Sequence, residues 1–364
     1  MSKIIIDARE SGTTTGRYID KLIEHLYKLE SKHTFIILAK AERTEYLSGI
    51  ARDFTIIQTP FDEFSFDEQI GLKRQIEGLH PDLVHFGMVQ QPIFYKGRVV
   101  TTMHDLTTMR FRNPDKNPVV FTIKQQVYKW VNTRVARKSD AIIVPTKYVM
   151  DDIIDFANIN PDKITITYEA ADLITDAPTP VTSVQGRPFI MYVGRPTPHK
   201  NLGRLIEAYT AMQATRPNLH LVLVGKKDAN YDRHAAYIAE HSIPNVALTG
   251  FVSEGQLRWL YENCAAYTFP SLSEGFGLPA VEAMLHGAPV VASNATCIPE
   301  VLGNAASYFD PLNVDDIVTK VSEVIDDPIL REDLAAKGKV QAAKYSWDRM
   351  AKQTLDIYDT VLSD

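Results

Sequence analysis

Strand-like and helix-like segments alternate along this chain of 364 residues. Short apolar runs bounded by turn residues are followed by amphipathic stretches with apolar residues on one face. This alternation predicts parallel sheets, because parallel neighbours need long and usually helical connections. The predicted strands lie at 3–8, 34–38, 54–58, 83–86, 99–103, 141–144 and 164–168 in the first half, and at 189–193, 221–224, 246–248, 266–269, 290–292 and 306–309 in the second.

A segment without apolar periodicity separates the two halves. Residues 176–187 are rich in proline, glycine and small polar residues, which predicts a linker. We therefore expect one α/β domain at 1–175 and another at 188–345, in line with the chain length. The last segment, 346–364, is amphipathic and predicts a helix.

Composition excludes several classes of protein. Hydrophobic residues at 45% and charged residues at 23% are ordinary for a globular protein. The net charge of −6 gives no indication of nucleic-acid binding. The two cysteines, Cys264 and Cys297, do not make a disulfide framework. The first apolar run is too short for a signal sequence, and no run approaches the roughly 18 apolar residues of a membrane span. We expect a cytoplasmic protein; the sequence leaves its oligomeric state open.

One motif places two carboxylates around a glycine-rich turn. It lies between a predicted strand and a helix, so its backbone amides would form a helix N-terminus that binds anions, with Pro279 at the first helical position. Two acids there would repel a phosphate unless they bind hydroxyls, which indicates a sugar nucleotide as ligand. The alternative is a solvated loop before an ordinary helix. The motif residues are Glu274, Gly275, Phe276, Gly277, Leu278 and Glu282.

A second motif follows the predicted strand at 189–193. Gly194 permits a sharp turn, and Arg195 and Lys200 supply cations where open α/β sheets bind ligands. Arginine suits bidentate phosphate contact and lysine acts as a point charge. The alternative is a loop that leads into a helix and carries ordinary surface cations.

With these motifs the chain resembles retaining glycosyltransferases of family 4. The resemblance also rests on the segment 299–303, on His104 with Asp105, and on the loop 12–16. It implies the GT-B fold, in which two Rossmann-like doubly wound parallel-sheet domains face a cleft and a C-terminal helix crosses back onto the N-terminal domain. The segment 194–201 resembles that of bacterial mannosyltransferases.

The resemblance implies a role for each motif residue. Arg195 and Lys200 would hold the donor diphosphate and stabilise the leaving group, Glu274 would bind hydroxyls of the donor sugar, and Glu282 would bind the ribose. Gly194 and the amides of Gly275, Phe276, Gly277 and Leu278 would line the donor site, with Val252 near the base.

The N-terminal half would form the acceptor side and contribute two residues. The amide of Gly16 would reach the diphosphate, and His104 would face the transferred sugar or the acceptor. The alternative for His104 is a hydrogen-bonded core imidazole. The implied catalytic residues are Arg195, Lys200, Glu274 and His104.

Neither a metal nor a cofactor is expected. The chain has no D-x-D triplet and no H-E-x-x-H pattern, and two cations can neutralise the phosphates. The spacing of Gly12 and Gly16 differs from the dinucleotide fingerprint G-x-G-x-x-G. The nucleotide sugar would enter as a substrate.

The expected function is transfer of a hexose, with retention, from a nucleotide sugar to a saccharide or lipid-linked acceptor. GDP-mannose is favoured over a UDP-sugar. Two alternatives stay open: a sugar-nucleotide epimerase or hydrolase, and a catalytically silent sugar-binding subunit.

Residues 117–139 combine apolar and basic residues in one predicted helix. They fit an interior helix with a solvated basic side. They also fit a helix that contacts the membrane surface or a lipid acceptor, which would make the protein peripheral at the inner face of the membrane.

Overall fold

The computed structural model describes residues 1–13, 15–111 and 118–363. The chain divides into two compact units. Unit 1 comprises the described residues of 1–109, 116–169 and 346–364, and unit 2 those of 110–115 and 170–345. The linker at 176–187 and the other predicted domain limits stay predictions.

Unit 1 is built on a parallel sheet whose seven strands, within the described residues, run in the order β3-β2-β1-β4-β5-β6-β7. Ile5 pairs with Ile36 on one side and Val84 on the other. Helices cover both faces of such a sheet, so its strands are almost continuously apolar. The strands are β1 (Lys3–Asp7), β2 (Thr34–Ala39), β3 (Thr55–Gln58), β4 (Leu83–Phe86), β5 (Val99–Thr102), β6 (Ala141–Val144) and β7 (Ile164–Ile166).

Helices connect these strands. The first helix ends at Tyr27, and Leu26 is its last buried apolar residue. The helices are α1 (Arg17–Tyr27), α2 (Thr44–Ile50), α3 (Lys73–Leu79), α4 (Thr107–Arg110), α5 (Pro118–Lys138) and α6 (Lys147–Ala157).

Unit 2 repeats the architecture with a parallel sheet of six strands, counted over the described residues, in the order β10-β9-β8-β11-β12-β13. All thirteen predicted strands are present, with ends shifted by at most two residues. The elements are β8 (Phe189–Val193), β9 (His220–Val224), β10 (Val246–Gly250), β11 (Ala266–Phe269), β12 (Val290–Ser293) and β13 (Ala306–Phe309), with α7 (Leu202–Gln213), α8 (Ala229–Glu240), α9 (Glu254–Asn263), α10 (Leu278–Leu285), α11 (Ile298–Leu302), α12 (Val314–Asp326) and α13 (Pro328–Ala342).

The last helix, α14 (Trp347–Ser363), belongs to unit 1, which confirms the predicted crossing. It packs on α1 and anchors itself through polar contacts. The hydroxyl of Tyr358 lies 2.5 Å from Nδ1 of the buried His85. Asp359 Oδ1 lies 3.0 Å from His33 Nε2. The helix therefore closes unit 1 with both apolar and hydrogen-bonded contacts.

Helix α5 has one buried side and one exposed side. Asn132, Val135 and Ala136 are buried, as an interior helix requires. Val127 and Trp130 are 55% and 52% exposed, as a membrane-surface helix requires. Both interpretations therefore remain open. Among the described residues, no helix is both long enough and apolar enough to cross a bilayer.

Candidate active site

The two sequence motifs meet at the point where the strand order of unit 2 reverses. Lys200 follows β8, and Glu274 follows its neighbour β11. Open α/β sheets bind ligands at such a point, beyond the carboxyl ends of the strands. Lys200 Nζ lies 2.6 Å from Glu274 Oε1, and the two side chains are 17% and 11% exposed. The structure thus joins two predicted site residues in a half-buried ion pair.

Asn201 fixes the position of Lys200. Its backbone has a φ of 61°, in the left-handed region that asparagine tolerates better than most residues. Its side-chain amide donates to the carbonyls of Pro270 at 3.1 Å and Pro311 at 2.8 Å. These bonds tie the loop after β8 to the loops after β11 and β13. Asn201 is a positioning residue that the sequence analysis did not assign to the site.

The backbone of Glu274 is held by the segment before α11. Its amide donates to Thr296 Oγ1 at 3.2 Å, and Cys297 Sγ donates to its carbonyl at 3.2 Å. A lysine ammonium has three donors, and a carboxylate has two acceptor oxygens. The pair can therefore donate to a phosphate and accept from a sugar hydroxyl while it stays intact.

Arg195 lies at the same edge and is 59% exposed. Its Nε donates to Asp228 Oδ2 at 3.0 Å. Asp228 also caps α8, because its other oxygen accepts from the amides of Asn230 and Tyr231. Burial raises the pKa of Asp228, but the bonds from Arg195 and the two amides outweigh it and hold the pKa below its ordinary value. An ionised Asp228 thus orients the guanidinium and leaves its terminal nitrogens for another acceptor.

Gly194 and Gly225 let two loops approach each other closely. Gly194 has a φ of 150°, and its amide donates to the carbonyl of Val224 at 3.0 Å. A Cβ on Gly225 would lie 2.1 Å from the carbonyl oxygen of Gly194. Side chains are therefore excluded at both positions. The sequence analysis missed Gly225 and Asp228, although a Gly-Lys-Lys-Asp run after an apolar strand signals a polar strand end.

The glycine-rich turn opens α10 as predicted, with one correction. Gly277 has a φ of 95° and caps the helix. The helix begins at Leu278, so Pro279 occupies the second helical position and not the first. Phe276 is buried and packs edge-on against Tyr345, with ring centroids 5.1 Å apart. The turn is thus anchored by Phe276 and leads into a helix N-terminus, where backbone amides can bind an anion.

Glu282 lies within α10, and Val252 lies in the loop before α9. Glu282 is buried at 8% exposure, and Tyr261 donates to its Oε2 at 3.3 Å. Val252 follows β10 and is half-buried, next to Phe251, which is 78% exposed. Their contacts with ribose and base stay predictions.

In unit 1, His104 follows β5 and lies between two oxygen acceptors. Its Nδ1 is 3.0 Å from Glu169 Oε1, and its Nε2 is 3.1 Å from the carbonyl of Gly87. Both nitrogens can donate only if the ring is an imidazolium. Burial lowers the pKa of His104, but the hydrogen bond and charge of Glu169 outweigh it, so the pKa is raised. Contact with a sugar through Nε2 would require release of the Gly87 carbonyl.

Glu169 itself was missed by the sequence analysis. The signal for it is a carboxylate shortly after β7.

Gly16 lies in the loop after β1, and its amide donates to Thr13 Oγ1 at 2.9 Å. A Cβ on Gly16 would lie 1.7 Å from the carbonyl of Glu10, so only glycine fits. Diphosphate binding by Gly16 stays a prediction.

No group of three or more His, Cys, Asp or Glu side chains in the described part of the chain could hold a metal ion. The polar groups of the unit 2 edge are instead two cations with carboxylate partners and a helix N-terminus. Such an edge can bind a diphosphate next to hydroxyls.

Comparison with known proteins identifies the class of enzyme. Residues 15–174 match the family described as Glycosyltransferase Family 4, and residues 176–341 match Glycosyl transferases group 1. The chain is 31% identical over 276 residues to O-antigen chain mannosyltransferase B of Escherichia coli, covering 72% of this chain and 70% of that protein. The chain belongs to the family 4 glycosyltransferases.

Two further comparisons agree. Serotype-specific mannosyltransferase WbdA of Escherichia coli is 29% identical over 238 residues, covering 62% of this chain but only 29% of that protein. The structure of Anabaena Alr3699/HepE in complex with UDP and glucose superposes with a TM-score of 0.75 at 16% identity, covering 99% of this chain and 100% of that one. The expected GT-B fold and the likeness to bacterial mannosyltransferases are thus confirmed, and the protein is a glycosyltransferase.

Proposed function

We propose that this glycosyltransferase moves mannose from GDP-mannose to a saccharide, with retention of the anomeric configuration and without a divalent metal. The observation that carries the proposal is the Lys200–Glu274 pair at the reversal of the unit 2 sheet, with Arg195 beside it.

The two cations would act on the diphosphate. Breaking the bond from the sugar to the phosphate leaves negative charge on the phosphate oxygens. Lys200 keeps two donors besides the one directed at Glu274, and Arg195 keeps its terminal nitrogens. Preorganised donors of this kind stabilise developing charge most strongly where water is scarce. They would supply the neutralisation that a divalent ion gives in other enzymes.

The carboxylates would orient the sugar and the nucleoside. Glu274 Oε1 accepts a hydrogen bond from Lys200 at 2.6 Å, which supports a role as a hydroxyl acceptor rather than as a nucleophile. Glu282, oriented by Tyr261, would accept from the ribose. Without a protein nucleophile, retention would require attack of the acceptor on the face of the sugar that the diphosphate leaves, with a phosphate oxygen taking the acceptor proton.

Two relatives named as mannosyltransferases support mannose as the transferred sugar. The choice of GDP rests on the segment 194–201. HepE binds UDP and glucose, but its 16% identity relates it to this chain through the fold alone. A UDP-sugar is therefore the alternative that the experiment must exclude.

The test is a donor panel with the full chain. GDP-mannose, UDP-glucose and ADP-glucose are first compared by thermal shift, because a bound ligand raises the melting temperature. Transfer to α-mannosides is then followed with and without excess EDTA, and the new anomeric proton is assigned by NMR. We expect an α-mannosyl product from GDP-mannose in EDTA.

Each other outcome contradicts part of the proposal. Transfer from a UDP-sugar alone would exclude GDP-mannose, a β-linked product would exclude retention, and loss in EDTA with rescue by Mg²⁺ would exclude metal independence. Donor hydrolysis without transfer would favour a hydrolase. Donor binding with neither reaction would favour a sugar-binding subunit.

A further inference from the structure

Unit 1 contains a groove of about 670 Å³ at the carboxyl ends of β1, β2 and β3. None of the residues assigned to the donor lines it. Its walls come from the loops that follow the three strands, and Ala41 and Pro60 are its main apolar contributions. The polar residues of its lining include Glu10, Thr13, Lys40, Glu42, Thr59 and Glu63.

The cations of the groove are already neutralised by the protein. Arg9 is 4% exposed, and its Nη2 lies 2.7 Å from Asp7 Oδ2 and 2.9 Å from Glu68 Oε1. Lys40 Nζ lies 2.5 Å from Asp62 Oδ1. Neither charge is available to hold an anionic ligand without breaking an ion pair.

Carboxylates outnumber cations in the lining, because Glu10, Glu42, Asp62 and Glu63 face only Arg9 and Lys40. A phosphate or a carboxylate would be repelled there. Hydroxyls suit such a lining, because they donate to carboxylates and also accept from the threonines.

Thr59 supplies an independent indication of a ligand. It is 2% exposed, and its hydroxyl has no hydrogen-bond partner among the described residues. Its backbone is fixed, since its amide donates to the carbonyl of Ala39 at 2.9 Å. Glu63 Oε1 is likewise buried without a hydrogen bond in the described structure, 4.0 Å from Lys40 Nζ. Buried polar atoms without partners are costly, so each is normally satisfied in the functional state.

We infer that this groove binds a neutral, hydroxyl-rich saccharide, and that this saccharide is the acceptor. The second part rests on the proposed function. Glu42 and Glu10 accept from sugar hydroxyls at the mouth of the groove, and Thr59 and Glu63 take the partners that they lack within the protein. A phosphate or lipid portion of an acceptor stays outside the groove.

The test measures sugar binding without any donor. Saturation-transfer NMR titrations of the full chain use α-mannotriose and mannose 6-phosphate at low salt. We expect mannotriose to bind, and mannose 6-phosphate to bind at least about tenfold more weakly. Equal or tighter binding of mannose 6-phosphate would overturn the inference, as would binding of a mannosyl lipid in micelles without binding of mannotriose.

Three variants locate the site. Glu42→Ala removes a charged acceptor and should weaken mannotriose binding about tenfold. Thr59→Val should weaken it less. Glu45→Ala makes the same change at an exposed residue of the same segment that does not line the groove, and should have no effect. Equal affinity in all three variants and the wild type would place the sugar elsewhere.

A GDP thermal shift on the same samples keeps the two proposals apart. Loss of mannotriose binding in Glu42→Ala with no GDP response in any sample would retain the groove and reject the proposed donor. A GDP response together with mannotriose binding that is unchanged in Glu42→Ala would retain the proposed donor and reject the groove.

Discussion

The cations at the carboxyl ends of the two sheets differ in their exposure and in how fully the protein neutralises them. In unit 2, Arg195 is 59% exposed, and its Nε pairs with Asp228. In unit 1, Arg9 is 4% exposed between two carboxylates, and His104 lies between Glu169 and Gly87. One architecture can thus make a cationic edge suited to a diphosphate and an internally neutralised edge suited to hydroxyls.

The largest expected effect compares the two arginines. Arg9→Met leaves Asp7 and Glu68 buried without their partner and should lower the free energy of unfolding by about 3–5 kcal/mol. Burial lowers the pKa of Arg9, but the charges and hydrogen bonds of these carboxylates outweigh it, so the pKa is raised. The two carboxylates therefore stabilise the charged guanidinium in the folded protein. Arg195→Met breaks an exposed pair and should change stability by less than about 1 kcal/mol. Urea denaturation of both variants measures this. Similar losses would show that the two edges do not differ as described.

The next effect concerns catalysis at the unit 2 edge. Lys200→Met should lower kcat/KM for transfer by roughly 10²–10³-fold, because it removes a preorganised donor to the phosphates and leaves Glu274 unpaired. Lys320→Met is the matched control, since Lys320 pairs with Glu323 on the exposed side of α12. Steady-state kinetics with the donor identified in the panel tests this prediction. Equal rates for both variants would remove Lys200 from the site.

Two glycines test the edges in parallel. Gly225→Ala and Gly16→Ala each place a Cβ against a backbone carbonyl, at 2.1 Å and 1.7 Å, and should cost about 1–3 kcal/mol of stability. Gly225→Ala should weaken nucleotide binding, measured by calorimetry, more than Gly16→Ala does, whereas Gly16→Ala should mainly lower transfer. Gly49→Ala and Gly203→Ala are the controls in the two units, because nothing lies within 4 Å of their added Cβ. Loss of nucleotide affinity in Gly16→Ala alone would reverse the assignment of the edges.

The smallest effect is a pH dependence inside unit 1. Burial, with the nearby charge of His104, lowers the pKa of His85 to about 3. The unfolded chain therefore binds more protons than the native state below its unfolded pKa of about 6.5, and stability falls as the pH falls. Between pH 7 and pH 5, protonation of His85 in the unfolded chain should lower the free energy of unfolding by about 2 kcal/mol. His104 has a raised pKa and acts in the other direction, losing its contribution as the pH rises above about 6.5.

The variant His85→Gln removes the contribution of His85 to the pH dependence of stability. Its free energy of unfolding, measured by urea denaturation at pH 7 and pH 5, should fall less steeply with acid than that of the wild type. An unchanged slope would contradict a neutral buried His85.

Much of the fold follows from local sequence, because a buried parallel strand is a short apolar run that needs no partner to be recognised. The site follows in part. Lys200 and Glu274 are 74 positions apart, and a rule about strand order predicts their edge but not their ion pair.

Three of the residues that the sequence analysis did not assign share one property. Asp228, Glu169 and Thr59 acquire their significance from a contact, or from the lack of one, that only the folded chain defines. An aspartate, a glutamate or a threonine after a strand is common in any loop. Burial and partner geometry distinguish these three, and neither can be read from neighbouring residues.

The return of α14 to unit 1 has a consequence for the order of events during synthesis. Residues 346–363 form one side of unit 1 and include the Tyr358 hydroxyl that contacts His85, so this unit cannot be complete until they leave the ribosome. Unit 2, which ends at residue 345, has all its strands and helices available earlier. The half made first is therefore finished last, and for the time needed to translate unit 2 the surface that α14 will cover faces water and the cell's chaperones.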